Sequence, residues 1–215
     1  RSDYILLFDA DDYFVGDFKK CIPKKLIKDS YNLTLSTCPG FFYKRPLIVQ
    51  NKNKKFIYEG CLHEYITCKE QYSNDDILGD YHVHGGTIGN DEAKYARDAL
   101  VFENALANIS KEDEHLIPRY QFYLAQSYRD SRQTDKAIEA YLKRTTLGNW
   151  QQEIYVSFCE ISKLYVNKND GIHAFYYAMA AQDVIPTRLE ALRIAVGILR
   201  AEDKLRLSYQ LLKNI

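Results

Sequence analysis

The chain has 215 residues, of which 46% are hydrophobic, and its 29 basic side chains balance its 29 acidic ones. This composition predicts one large or two small globular domains with hydrophobic cores and gives no sign of disorder. A net charge of zero predicts neither a nucleic acid nor an anionic membrane as a partner, because both usually need a basic protein surface.

The cysteine content and the lack of long apolar runs bear on the compartment. The five cysteines are scattered without CxxC spacing, so the sequence predicts neither a disulfide framework nor a zinc site. No apolar run reaches the length of a membrane span, and no signal-peptide pattern opens the chain. We therefore expect a reducing, cytoplasmic setting. The only methionine is Met179 and the chain opens on an arginine, so we also expect a longer parent polypeptide.

Residues 1–90 form a β-rich first part. Short runs of β-branched and aromatic residues alternate there with turn material such as CPG and NKNKK. The strands predicted from this pattern are 4–8, 33–36, 41–49, 56–67 and 81–84. The first of them has the pattern of a buried strand, because it is a continuous apolar run.

A cluster of carboxylates follows this first strand in the segment YILLFDADDY. Asp9 and Asp11 stand at its carboxyl end, where open α/β sheets bind ligands. Two carboxylates one residue apart can ligate one hard divalent cation such as Mn²⁺ or Mg²⁺, and a bound metal can neutralise a diphosphate leaving group. The alternative interpretation is a solvated acidic turn.

The segment KKFIYEGCLHEYI places His63 and Glu64 side by side in a strand-like run. Adjacent residues of a strand point to opposite faces, so only one of them faces a cleft unless Gly60 introduces a bend. A carboxylate at such a site can act as the base that deprotonates an acceptor hydroxyl or thiol. The alternative is a Glu64 on an edge strand and a His63 that matters mainly for packing.

Two histidines alternate in the last predicted strand, just before a glycine-rich turn. His82 and His84 share one face of that strand. A neutral imidazole at His84 can complete the coordination of a metal or donate a hydrogen bond to a diphosphate. The alternative is a pair of structural histidines.

The pattern becomes helical near Asp91 and stays helical to the end of the chain. Residues 91–117 predict a connecting helix, with Asn90 or Asp91 as its N-cap. The residues of its apolar face follow a spacing of three and four: Tyr95, Ala99, Phe102, Leu106 and Ile109.

Residues 118–215 predict three helix pairs whose key residues recur at fixed offsets. A tetratricopeptide repeat has its Leu, Gly, Tyr, Ala and Phe at these offsets, and Pro186 falls where that repeat has its closing proline. The three units are Leu124, Ala125, Tyr128, Ala137 and Tyr141; Ile161, Ser162, Tyr165, Ala174 and Ala178; and, more weakly, Ala195, Val196, Leu199, Ser208 and Leu212. Small residues let paired helices approach closely. An irregular helical bundle is the alternative, and it leaves the shared offsets unexplained.

Taken in order, these segments resemble the family 2 glycosyltransferases of the GT-A fold that carry a C-terminal tetratricopeptide region. The segments that carry the resemblance are DYILLFDADDYF, YEGCLHEY, KYARDALVFENAL, RYQFYLAQSYRD and AIEAYLKRTTLGNWQQEIY. GNWQQE stands where the family has a sequence closer to GGW with two acidic residues. A complete GT-A domain also begins with a nucleotide-binding unit of roughly ninety residues, which we expect upstream of this sequence.

The resemblance implies an α+β protein with three parts. These are a partial GT-A α/β catalytic half over residues 1–90, a connecting helix over 91–117 and all-α tetratricopeptide-like repeats over 118–215. It implies that Asp9 and Asp11 bind the metal and the donor diphosphate, with His84 as a further ligand of either. Glu64 is the implied catalytic base, and Mn²⁺ or Mg²⁺ is the implied cofactor.

The implied activity of the parent protein is metal-dependent transfer of a sugar, with inversion, from a nucleotide-sugar donor to a protein, peptide or glycan acceptor. The repeats would present the acceptor or a second subunit, and the apolar residues Leu207, Leu211 and Ile215 at their end predict a homodimer. The other hypothesis is a tetratricopeptide-type interaction module in which the truncated catalytic half is an inactive structural cap.

Overall fold

The computed structural model describes residues 2–38, 41–52, 54–85 and 91–213. It divides into two compact units, Arg1–Gly89 and Asn90–Ile215. The strands lie in the first unit and the long helices in the second, which confirms the predicted α+β class. The glycine-rich turn at 86–90, with the alternative N-cap Asn90, and the terminal Ile215 lie outside the described residues.

The first unit is built on a sheet. Its elements are β1 (Tyr4–Leu6), β2 (Tyr13–Gly16), the short helix α1 (Phe18–Cys21), β3 (Ser30–Cys38), β4 (Phe41–Gln50), β7 (Asn74–Asp76) and β8 (Tyr81–His84). The strand order is β1-β4-β3-β8-β2, and β7 pairs with β3 beside this path. The central strand β3 runs antiparallel to β4 and parallel to β7 and β8. The remaining strands, β5 (Phe56–Glu59) and β6 (Tyr65–Cys68), form a separate antiparallel ribbon.

β1 is an edge strand, so the prediction of a buried strand over residues 4–8 is wrong. Among the described strands it pairs only with β4, in antiparallel register. Ile5 and Leu6 are therefore 41% and 43% exposed. The prediction failed because apolarity alone does not distinguish a central strand from an edge strand. The carboxyl end of β1 is consequently not the edge of a parallel sheet within the described residues.

The hydrophobic core of the first unit is organised by β3. Its residues Tyr31, Leu33 and Leu35 alternate along the strand and are buried in one cluster, to which α1 contributes Phe18. Burial of each such side chain contributes about 1.5–3 kcal/mol. This cluster fixes β3 and its neighbour β4, and β4 in turn forms one wall of the candidate site.

The strand predicted over residues 56–67 is interrupted by a bend between β5 and β6. Gly60 has φ +118° and His63 has φ +50°, both in the left-handed region. A Cβ at Gly60 would lie 3.3 Å from the Leu62 carbonyl oxygen, so a side chain is disfavoured there by space as well as by conformation. This bend allows His63 and Glu64 to face the same cleft.

The second unit consists of helices throughout. They are α2 (Glu92–Ala107), a 3₁₀ helix (Lys111–Leu116), α3 (Ile117–Asp130), α4 (Thr134–Thr146), α5 (Gln151–Asn167), α6 (Gly171–Val184), α7 (Glu190–Ala201) and α8 (Leu205–Lys213). Asp91 caps α2 by accepting a hydrogen bond of 3.0 Å from the Lys94 backbone N–H. In the described parts of the chain, no helix combines the length and the apolarity needed to cross a bilayer.

The helices from α3 to α8 form three successive pairs that share the same internal turn. In each turn one non-glycine residue has a left-handed backbone: Arg132, Asn169 and Asp203, with φ between +56° and +60°. The next residue donates its backbone N–H to the carbonyl five positions earlier, from Gln133 to Tyr128, Asp170 to Tyr165 and Lys204 to Leu199, at 2.8 to 2.9 Å. These residues occupy the same positions in the predicted offsets, so the pairs repeat in backbone geometry as well as in sequence.

The small residues at the shared offsets lie where the paired helices meet. Ala125, Ala137, Ser162 and Ala174 are each 0% exposed. In the second pair, the Ser162 hydroxyl donates a hydrogen bond of 2.6 Å to the Ala174 carbonyl, which joins α5 to α6 directly. A larger side chain at these positions would separate the helices of a pair.

Candidate functional site

A polar cavity of about 330 Å³ lies within the first unit, in the range typical of small-ligand sites. Three segments form it: the turn after β1, the middle of β4, and the bend between β5 and β6. The lining residues are Leu7, Phe8, Asp9, Asp12, Arg45, Pro46, Leu47, Tyr58, His63, Glu64, Tyr65 and Ile66. The cavity therefore brings together two of the predicted site residues, Asp9 and Glu64, from distant parts of the sequence.

The Asp9 side of the cavity is held by backbone hydrogen bonds. The Leu7 N–H donates to the Leu47 carbonyl at 2.7 Å, which continues the β1–β4 ladder beyond Leu6. The Asp12 N–H then donates to the Asp9 carbonyl at 3.1 Å and closes a turn. This turn directs Asp9 and Asp12 into the cavity, and Asp12 is the more buried of the two.

The Glu64 side depends on the bend between β5 and β6. Because His63 adopts a left-handed backbone, the strict alternation of a strand is broken, and both His63 and Glu64 line the cavity. The Tyr65 hydroxyl donates a hydrogen bond to the Glu59 carboxylate across the β5–β6 ribbon and braces it. His63, expected to matter mainly for packing, is thus also a wall of the site.

Asp11 and His84 are not among the residues that line this cavity. His84 lies opposite Tyr13 in the β2–β8 ladder, and their ring centroids are 4.9 Å apart. His82 contacts the Phe42 ring edge-on at 5.4 Å. Within the described residues, no group of three or more His, Cys, Asp or Glu side chains is placed to hold a metal ion.

The charged side chains of the cavity differ in their hydrogen-bond partners and in their exposure to solvent. The side chains of Asp9, Glu64 and Arg45 make no hydrogen bond or ion pair with another described residue. Asp9 and Glu64 are exposed to solvent, whereas Arg45 is half-buried. The sequence patterns did not single out Arg45 or Asp12 as site residues. Arg45 reaches the cavity through the β1–β4 register, which places residue 45 across from residue 9 when it is extended past Leu6.

The donor atoms of the cavity fit a hard divalent cation better than a soft one. Asp9 and Asp12 offer carboxylate oxygens on one turn, and no cysteine is among the described residues that line the cavity. Oxygen ligands of this kind suit Mg²⁺ and Mn²⁺. Two protein carboxylates leave further coordination positions for water or for a ligand oxygen.

No protein-family model matches this chain, and no curated protein matches it at a significant level.

Proposed function

We propose that this chain carries the catalytic base and part of the donor site of a metal-dependent glycosyltransferase. The observation that supports the proposal is the single cavity shared by Asp9 and Glu64, two residues singled out by separate motifs. The reaction is transfer of a sugar from a nucleotide-sugar donor to a hydroxyl or thiol of a protein, peptide or glycan acceptor, with inversion at the anomeric carbon.

In this reaction Glu64 is the base. Its carboxylate accepts the proton of the acceptor group while the acceptor atom forms a bond to the anomeric carbon. The bond from that carbon to the donor diphosphate breaks, and the nucleoside diphosphate leaves with the bonding electrons. The exposure of Glu64 on the cavity wall leaves room for an acceptor to approach it.

Asp9 and Asp12 would hold the Mn²⁺ or Mg²⁺ ion, a modification of the expected pairing of Asp9 with Asp11. When bound, the ion neutralises the charge that develops on the diphosphate leaving group. His84 does not line the cavity. It stays a proposed diphosphate contact, and the assignment of Asp9 does not depend on it.

The test compares Asp9→Asn with Asp11→Asn. Both changes remove one carboxylate from the same turn without altering core volume, so Asp11→Asn is the matched control. Sugar transfer is measured on the chain extended by the upstream nucleotide-binding segment that the resemblance implies, at saturating Mn²⁺. Asp9→Asn should lower turnover by a factor on the order of a hundred, and Asp11→Asn by much less. Full activity in Asp9→Asn would overturn the proposal.

A second candidate function, that of an interaction module, is favoured by a different feature. The last helix pair borders an apolar groove of about 570 Å³ lined by α6, α7 and α8. Ile172 and Leu207 on its wall are 82% and 51% exposed, so the groove presents large aliphatic side chains to solvent. Absence of sugar transfer from the extended chain, with self-association through this groove retained, would favour this function over the first.

A further inference from the structure

Arg45 is a half-buried cation for which the described residues supply no partner. It lines the cavity from β4, and its side chain makes no hydrogen bond or ion pair with another described residue. In the β3–β4 ladder it lies directly opposite Leu33, which is 0% exposed, so the two side chains share the face of the sheet that carries the core. A guanidinium beside a hydrophobic core is costly unless an anion accompanies it.

The neighbouring residue shows the contrasting arrangement. Lys44 lies opposite Thr34 and therefore on the other face of β4. Its ammonium pairs with the Asp76 carboxylate, and its side chain is 49% exposed. Of these two adjacent cations, the exposed Lys44 thus has an anionic partner, whereas the half-buried Arg45 has none in the part of the chain that the structure describes.

We propose that Arg45 binds an oxyanion of the ligand, a phosphate or a carboxylate group, inside the cavity. A guanidinium presents parallel N–H donors that match both groups. The inference concerns the same cavity as the proposed function and rests on that function for the identity of the ligand. The oxyanion belongs either to the donor diphosphate or to an acidic acceptor.

The surrounding charges add a condition to this binding. Asp9, Asp12 and Glu64 also line the cavity, so an anion without a counterion would meet three carboxylates and one guanidinium. A divalent cation at Asp9 and Asp12 reverses that balance. Binding of the oxyanion at Arg45 should therefore strengthen when Mg²⁺ is present.

The experiment measures binding rather than turnover. The chain is titrated by calorimetry with inorganic pyrophosphate, uridine diphosphate and glucuronate, each with and without Mg²⁺. Arg45→Gln is compared with Arg45→Lys, which keeps the charge, and with Lys44→Gln, which removes the same charge from the opposite face of β4. We expect Arg45→Gln to weaken at least one probe about tenfold or more, since a charge-assisted hydrogen bond is lost.

Each outcome has a defined consequence. An effect confined to the two diphosphate probes assigns Arg45 to the donor, and one confined to glucuronate assigns it to an acidic acceptor. If no probe binds, or if Lys44→Gln weakens binding as much as Arg45→Gln, the inference is overturned. Arg45-dependent binding without sugar transfer in the extended chain would refute the proposed function alone, and transfer with Arg45-independent binding would refute this inference alone.

Discussion

The proposed role of Glu64 as the catalytic base can be tested separately from ligand binding. Glu64→Gln keeps the size of the side chain and removes its ability to accept a proton. We expect turnover of the extended chain to fall by a factor on the order of a hundred, with donor affinity unchanged. The measurements are steady-state kinetics and equilibrium binding of the nucleotide donor.

Glu70→Gln is the control for this prediction. Glu70 is a 60% exposed side chain that pairs with Lys54 at 3.1 Å and does not line the cavity. Because the lost surface ion pair contributes little to stability and Glu70 lies outside the cavity, its replacement should leave turnover within about twofold. Weaker donor binding with unchanged turnover in Glu64→Gln would make Glu64 a binding residue and contradict its assignment as the base.

A buried ion pair joins the segment GNWQQE to α4. The Arg144 guanidinium is fully buried, donates two hydrogen bonds of 3.0 and 2.9 Å to Glu153, and donates a third of 2.9 Å to the Gly148 carbonyl. Burial raises the pKa of the Glu153 carboxyl, and the bonds from Arg144 offset part of that increase. Asn149 has φ +68°, a conformation that asparagine tolerates better than most residues and that explains an Asn or Gly at this position.

Breaking this pair should destabilise the helical unit. Glu153→Gln leaves the buried Arg144 charge without a counterion, so we expect a loss of about 3 kcal/mol in the free energy of unfolding. Urea denaturation followed by circular dichroism measures it. The control is Glu139→Gln, an exposed residue of α4, with an expected change within about 0.5 kcal/mol. Equal losses in the two variants would mean that the buried pair contributes no more than a surface charge.

The shared left-handed turns of the helix pairs predict which substitutions the helical unit tolerates. Arg132→Gly removes the Cβ that disfavours φ +60° and also an exposed ion pair with Glu92, which is worth little, so we expect stability to rise by up to about 1 kcal/mol or to stay unchanged. Arg193→Gly is the matched control because Arg193 is an exposed arginine inside α7. It should lose about 1 kcal/mol, the helix penalty of glycine. Thermal or urea unfolding compares the two, and a similar loss in both would show that the turns carry no backbone strain.

Helices were easier to predict from the sequence than strands. The apolar spacing of three and four marks α2, where Ala99 and Phe102 are indeed buried, and the repeated offsets locate the three helix pairs. β7 was not predicted, because its residues Asn74–Asp76 have low strand propensity. It forms through long-range contacts instead: parallel pairing with β3, and hydrogen bonds to Asp76 from Asn32 and Lys44.

The residues of the candidate site show the same difference, because some have a local sequence signal and others do not. Asp9 and Glu64 carry local signals, a carboxylate after an apolar run and an acidic residue after a glycine bend, and the structure places both in one cavity. The position of Arg45 in that cavity is set by the pairing of β4 with β1 and β3, which no local pattern reveals. Asp11 carries the same local signal as Asp9, yet the turn after β1 decides which of the two lines the cavity.

The apolar groove at the last helix pair predicts self-association. Leu207 and Ile172 line the apolar groove of α6, α7 and α8 and are 51% and 82% exposed. We expect a homodimer through this surface, because two copies can cover each other's apolar residues around a twofold axis. Light scattering should then report a dimer, and the double variant Leu207→Glu with Ile172→Glu should be a monomer.

Ile27→Glu is the control for the dimer. Ile27 is 72% exposed, belongs to the first unit and lies outside the groove, so its replacement adds a charge without affecting the proposed contact. It should leave the dimer intact. A monomeric parent chain, or a dimer that persists in the double variant, would rule out this interface.

The central position of β3 determines the order in which the first unit can fold. β4 follows β3 directly, but β7 and β8, which pair along the other edge of β3, begin only at Asn74 and Tyr81. Closing such long loops costs chain entropy before the new contacts offset it, whereas each helix pair is joined by a short turn. We therefore expect the helical unit to acquire structure faster than the sheet. During synthesis, one edge of β3 stays open to wrong pairing until β8 has left the ribosome.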